Sequence, residues 1–334
     1  MLSRVAESLY WMSRYIERAE NTARLVEVNL QLLLDFEGQA DDDEATFWAA
    51  VVSTSGAVEA FRDQHPVADA NTVVDFLAFE PANPSAIFAS VAAARENARM
   101  VRDQITTEMW ECLNELYHFV RAQNVTTLWE GDILAFFERV RQHSATFQGL
   151  TDACFLHEEA HHFLEVGKYL ERADQTSRLL DLKYFLLLPE GQTVGGAVDL
   201  AGWIAVLRSC SAADAFHQRF PGALNASKVF QLLLFGRKFP RSVRFALRRL
   251  DENLRAISDS LPGHHQNEAE RLVGALRSHV VYSTMEDVFA LGPHQYIDNV
   301  QSRLGDVHDA IHAHYLAPPV TDLASEIARH QHEG

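Results

Sequence analysis

Two segments of this chain carry side chains suited to gripping an anion. They are Tyr15-Ile-Glu-Arg-Ala-Glu-Asn-Thr-Ala-Arg-Leu25 and Tyr169-Leu-Glu-Arg-Ala-Asp-Gln-Thr-Ser-Arg-Leu179. At 100° per residue, Tyr10, Arg14, Glu17, Asn21, Arg24, Val28 and Leu32 fall on one helical stripe, apolar at both ends and charged in the middle. The later segment repeats the arrangement with Leu164, Lys168, Glu171, Gln175, Arg178, Leu182 and Leu186. Arg18 and Arg172 stand beside the two glutamates. Arginines held by carboxylates are suited to bidentate capture of a carboxylate or phosphate. The candidate anion site is therefore Arg14, Glu17, Arg18, Asn21 and Arg24 with Lys168, Glu171, Arg172, Gln175 and Arg178. The same residues could instead form a salt-bridge network that locks two helices together, because buried charges must be paired.

Other constellations are weaker. His157-Glu158-Glu159-Ala160-His161 is a literal HExxH, the helical zinc-protease pattern. On a straight helix Glu165 would lie about 12 Å from His157, too far to act as third ligand. His157 and His161 are therefore weak metal candidates, and the expectation is no bound metal. The blocks Glu96-Asn97-Ala-Arg99 and Glu252-Asn253-Leu-Arg255 read as solvated charged faces. No P-loop, GxGxxG or GxSxG occurs, and neither a nucleophile–base pair nor a metal quartet can be assembled, so no catalytic residue is assigned.

The elements that position these groups are helices. Helical periodicity runs throughout, with no convincing strand alternation. The expected elements are a long helix from about Ser3 to Phe36, ended by the acidic turn Gly38–Asp43, and a second from about Asp152 to Leu188, ended by Pro189 and Gly191. Asn83-Pro84-Ser85 reads as the start of a helix to about Ala122. Thr127-x-x-Glu130 reads as a capping box, Pro240 and Pro293 as helix starts, and the segment His330–Gly334 as a frayed end. A face carrying Val5, Met12, Ala19, Ala23 and Leu30 makes the first long helix apolar on a second side, so it should be central.

The halves overlay. Tyr15–Leu25 matches Tyr169–Leu179, Trp48 matches Trp203, Pro84 matches Pro240, and Glu96-Asn97 matches Glu252-Asn253, in one order and at nearly constant offset. The expected fold class is all-α: an internally duplicated helical bundle with pseudo-two-fold related halves. Residues 1–150 would form the first repeat and 151–334 the second, packed as one double unit. With 29 Lys and Arg against 46 Asp and Glu, the net charge of −17 disfavours nucleic acid and anionic membranes. Three dispersed cysteines fit a reducing cytoplasm, and no run approaches the roughly 20 apolar residues of a membrane span. A cytoplasmic location is expected.

At Tyr15-Ile-Glu-Arg-Ala-Glu-Asn-Thr-Ala-Arg and its echo at Tyr169, the sequence resembles the bacterial alpha-E family, an α-helical domain of unknown function named for a recurrent Glu-Arg motif. Leu2-Ser-Arg-Val-Ala-Glu-Ser-Leu-Tyr-Trp-Met-Ser-Arg14 looks like the family's start, and Phe239-Pro-Arg-Ser-Val243 like a later signature. The motif carries over to Glu17-Arg18 and Glu171-Arg172. What the resemblance implies is a context. Such proteins are encoded beside, or fused to, ATP-grasp ligase-like proteins, with transglutaminase-like and proteasome-like peptidases nearby. The implied role is a non-ATPase helical component of an amide or peptide synthesis or modification system. Its partner would be an ATP-grasp ligase-like protein that supplies the ATP chemistry, its ligand a small carboxylate or peptide substrate, and no cofactor would bind the chain directly. A ligand-free scaffold and an independent enzyme are the alternative readings.

Overall fold

The computed structural model describes residues 1–35, 44–185, 196–261 and 263–317. Among them are sixteen α-helices and no strand, so the chain is all-α. In order they are α1 (Ser3–Asp35), α2 (Glu44–Thr54), α3 (Val58–Gln64), α4 (Ala70–Ala78), α5 (Ile87–Met100), α6 (Thr107–Arg121), α7 (Val125–Glu130) and α8 (Ile133–Ala153). Then follow α9 (Glu159–Phe185), α10 (Ala197–Ser209), α11 (Ala213–Arg219), α12 (Ala226–Leu233), α13 (Val243–Ser258), α14 (Glu268–Tyr282), α15 (Met285–Leu291) and α16 (Pro293–Ile311). A π-helical turn over His312–Leu316 closes the described chain.

Local chemistry accounts for most boundaries. α1 lacks Gly and Pro over 33 residues and is rich in Ala, Leu, Glu and Arg, all strong helix formers. Asp69 and Thr72 form a reciprocal capping box at α4, as Thr284 and Asp287 do at α15. Thr106, Asp132, Ser242 and Asn267 each accept a backbone N–H at the starts of α6, α8, α13 and α14. Pro293 occupies the first turn of α16, as expected.

Several expected boundaries move. The helix expected from Pro84 to Ala122 is two, α5 and α6, and the first begins only at Ile87. Asn83 does not cap it: its Nδ2 donates to the Phe76 carbonyl at 3.0 Å, and its Oδ1 accepts the Ser85 N–H, so this segment is a turn. Thr127 is not an N-cap but the third residue of α7, boxed with Asn124. Pro240 lies in the turn before Ser242, the true cap of α13. The second long helix starts at Glu159 rather than near Asp152, because the chain turns between α8 and α9 to let both pack along α1. Phe36, the Gly38–Asp43 turn, Pro189, Gly191 and the His330–Gly334 end lie outside the described residues.

α1 and α9 run side by side and parallel. The contacts advance together along both: Met1 meets Glu159, the Tyr10 carbonyl lies against Gly167, and Glu17 meets Arg172. Around this pair α1 packs on α5 and α8, while α9 packs on α13 and α16. α2 crosses to lie on α9, and α10 lies on α1. One continuous cluster of buried apolar side chains extends from Ala6 to Leu316. α1 is central, as its two apolar faces predict. At Gly167 the two backbones come so close that an added Cβ would stand 2.3 Å from the Tyr10 carbonyl oxygen.

Candidate functional site

The parallel register of α1 and α9 sets the geometry of the charged segments. Glu17 and Glu171 are both fully buried, 0% exposed. Glu17 accepts a two-pronged pair from Arg172, Nε to Oε1 at 2.9 Å and Nη2 to Oε2 at 2.8 Å. Glu171 accepts the reciprocal fork from Arg18, Nε to Oε1 at 2.7 Å and Nη2 to Oε2 at 3.0 Å. Each Glu-Arg dipeptide thus pairs with the other and not within itself. Fork-to-fork pairing of this kind fixes orientation as well as charge.

A second arginine completes each carboxylate. Arg14 donates Nε to Glu171 Oε2 at 2.8 Å, and Gln175 Nε2 adds a longer bond of 3.2 Å to Oε1. Arg241, from the turn before α13, donates Nη1 to Glu17 Oε1 at 2.9 Å and to Asn21 Oδ1 at 3.0 Å, and Nη2 to Glu20. The Arg241 carbonyl is held on α9 by Thr176 Oγ1 at 2.8 Å. Glu20 also takes Arg24 Nη2 at 2.7 Å and the Ser144 hydroxyl at 2.9 Å. Burial alone would raise the Glu17 pKa, but Arg172 and Arg241 override it and hold it at about 2. Burial likewise opposes ionisation of Glu171, and Arg18 and Arg14 hold its pKa lower still.

The remaining sequence candidates sit at the edge of this network. Lys168 pairs with Glu165 and not with Glu17 or Glu171, and Arg249 reaches the same Glu165 at 3.2 Å. Arg178 pairs with Asp174 at 2.9 Å, one turn along α9. The glutamate-asparagine blocks diverge. Glu96 is exposed between Arg95 and Arg99, whereas Asp251 beside Glu252 is buried and held by Arg255 and Arg277.

Beside the Arg18–Glu171 fork lies a small cleft of about 20 Å³, room for about one or two waters. Arg18, Asn21, Thr22, Ser55, Ser85 and Gln175 supply its polar wall. Asn21 is 5% exposed, and its Nδ2 has no hydrogen-bond partner among the described residues. Its orientation is not ambiguous, because Arg241 can only donate and so requires Oδ1 on its own side. Arg18 spends Nε and Nη2 on Glu171, which leaves Nη1 with no hydrogen bond to a described residue. Two residues that line the cleft, Arg18 and Asn21, thus carry donor groups with no partner among the described residues. Across the network five arginines (Arg14, Arg18, Arg24, Arg172, Arg241) face three glutamates (Glu17, Glu20, Glu171), so its field favours an anion.

Sequence reasoning missed Arg241 and Ser144 as members of the site, and left Glu20, a carboxylate of the Tyr15–Leu25 segment, outside the candidate set. Arg241 was accessible through the overlay, where it falls opposite Ser85 one residue after the matched prolines. Ser144 carries no such signal, since it joins through tertiary packing of α8 on α1.

The histidine pentad does not form the helical zinc-protease pattern. His157 lies in the turn before α9 and only His161 is on the helix, which begins at Glu159. Two of the three cysteines, Cys112 and Cys210, are buried, and burial pushes their thiols up to about 11 and 12, so neither is a ready nucleophile.

Residues 1–316 match the family described as a predicted alpha-helical domain with a conserved ER motif. The chain belongs to the Alpha-E family. The reciprocal pairs Glu17–Arg172 and Glu171–Arg18 are what its two Glu-Arg dipeptides build in this Alpha-E chain. It is similar to uncharacterized proteins of Mycobacterium bovis, at 27% identity, and Mycobacterium tuberculosis H37Rv, at 26%, each over 338 aligned residues. These matches cover 95% of the Alpha-E chain and 37% of each relative, so it spans little more than a third of their length. No solved structure matches it. Among the described residues no helix is long and apolar enough to cross a membrane.

Proposed function

We propose that this chain is a cytoplasmic, non-ATPase helical component of an ATP-grasp-associated amide or peptide synthesis or modification system. It binds the ligase-like partner and holds a carboxylate or phosphate of the substrate or acyl-phosphate intermediate at the cleft beside Arg18. The observation that carries the ligand half of this reading is the buried Asn21 Nδ2, unpartnered on the wall of a cleft shared with Arg18. A buried donor of this kind seeks an acceptor, and leaving it unmet costs about 1–3 kcal/mol. ATP chemistry belongs to the partner.

A second reading, a scaffold with no ligand, is favoured by the closure of the Glu-Arg pairs, which leave none of the four Glu17 and Glu171 oxygens unpaired. Capture of interacting proteins from the native host, followed by ATP-dependent amide formation with and without this chain, separates the readings. Recovery of an ATP-grasp protein whose amide formation depends on the chain is the expected result. Ligation that proceeds equally without it would contradict the proposal.

A further inference from the structure

Asp152, His157 and His161 come from three places that the chain reversal between α8 and α9 brings together. Asp152 is in the last turn of α8, His157 in the connecting turn, and His161 in the first turn of α9. One ligand-type atom from each lies within 4.8 Å of the other two. The His157 and His161 rings stack with centroids 3.9 Å apart and planes 16° from parallel. His161 is 4% exposed, and it makes no hydrogen bond among the described residues; its Nδ1 is buried and unpartnered. A buried imidazole normally spends at least one nitrogen on a partner, so a pair of stacked rings with a buried, unbonded member beside a carboxylate is unusual.

We propose that Asp152, His157 and His161 form a binding site for a divalent transition cation of the Zn²⁺ type. Two imidazoles and one carboxylate are a donor set that such cations take, and three protein ligands leave further positions for water or a substrate oxygen. Zn–N and Zn–O bonds of about 2.0–2.2 Å imply ligand separations of about 3.3 Å, so the three groups must close by at most about 1.5 Å. Asp152 and His157 are exposed and can supply that movement by side-chain rotation, His157 giving up the contact of its Nε2 with the Asp152 carbonyl at 3.0 Å, while His161 is fixed by burial. Nearby groups are committed elsewhere: His162 bonds Asn253 Oδ1 at 2.7 Å, and Glu165 is held by Lys168 and Arg249. This site differs from a helical HExxH, since its carboxylate comes from the preceding helix. None of the three residues lines the Arg18 cleft, so the inference is independent of the proposed ligase role.

The test is titration of chelator-washed full-length protein with Zn²⁺ by calorimetry and with Co²⁺ by visible absorption. A background with His330→Ala and His332→Ala removes the terminal histidines. One equivalent of each metal with tetrahedral-type Co²⁺ d–d bands is expected. Both His157→Ala and Asp152→Asn change exposed side chains and should preserve the far-UV circular dichroism. Each should weaken binding by more than the roughly 10–100-fold that loss of an outer-shell partner costs. Absence of stoichiometric binding in the parent, or unchanged affinity in His157→Ala, overturns the proposal.

Discussion

Glu171 takes its forked ion pair from Arg18, 2.7 Å away on the other long helix, and not from its own neighbour Arg172. Arg172 reaches back to Glu17 in the same way. The exchange requires α1 and α9 to lie parallel and nearly in register, so that residues 17 and 18 stand opposite 172 and 171. Two adjacent residues on a helix point about 100° apart, which disfavours pairing within a Glu-Arg dipeptide and leaves each member free to pair with a second copy alongside. The motif is thus a clasp between helices, and the small cleft proposed to take a ligand is lined by one of its members, Arg18.

Close approach of the two helices depends on Gly167. A methyl there meets the Tyr10 carbonyl oxygen at 2.3 Å, and backbone can yield only by separating α1 from α9. Gly167→Ala should cost about 1–3 kcal/mol in urea unfolding, the usual range for overpacking. Gly149→Ala, with open space around its Cβ, is the control and should be neutral or stabilising. Equal stability of the two variants would contradict the packing described.

The buried titratable groups predict acid instability in two stages. Burial, then the charge of Arg14, lowers the His308 pKa to about 4, and burial does the same for His161. Unfolded histidine titrates near 6.5, so the unfolded chain binds more protons and stability falls as pH drops from about 6.5 to 4. Glu17 is depressed to about 2 and Glu171 lower, against about 4.3 unfolded. Their contribution is complete above pH 4.3 and is lost as pH falls below it. Urea unfolding measured from pH 8 to 3 should show both slopes, and His308→Gln should flatten the upper one. A stability that is constant from pH 7 to 4 would contradict it.

The helices were legible in the sequence because period and caps act locally. α1 emerged within a residue of its described end. Breaks that tertiary structure imposes were not legible: Cys154-Phe155-Leu156 contains no helix breaker, yet the chain turns there to return along α1. For the same reason the overlay identified Glu17, Arg18, Glu171 and Arg172 as equivalent pairs but not which carboxylate each arginine holds. Arg241 could have been found, since it faces Ser85 in the overlay. Asp152 could not, because only the turn between α8 and α9 brings it to the histidines.

That pairing of Ser85 with Arg241 yields a prediction about the cleft. An arginine at 85 would enter the cleft that Ser85 and Gln175 line. Thermal melts of wild type should rise with added phosphate, sulfate or a dicarboxylate. Ser85→Arg should abolish that rise while leaving the ligand-free melting temperature unchanged or higher. An anion response that persists in Ser85→Arg would place the bound anion elsewhere.

The clasp itself is tested most directly by double-mutant cycles in urea, using Ala at Glu17, Arg18, Glu171 and Arg172. Each single substitution strands a buried charge and should cost about 3–5 kcal/mol. The cross-helix cycles Glu17/Arg172 and Glu171/Arg18 should show coupling of about 2 kcal/mol or more, well above the 0.3–0.5 kcal/mol scatter of roughly independent sites. The sequence-neighbour cycles Glu17/Arg18 and Glu171/Arg172 should couple distinctly less. Stronger coupling within the dipeptides than across the helices would contradict the exchanged pairing on which this account rests.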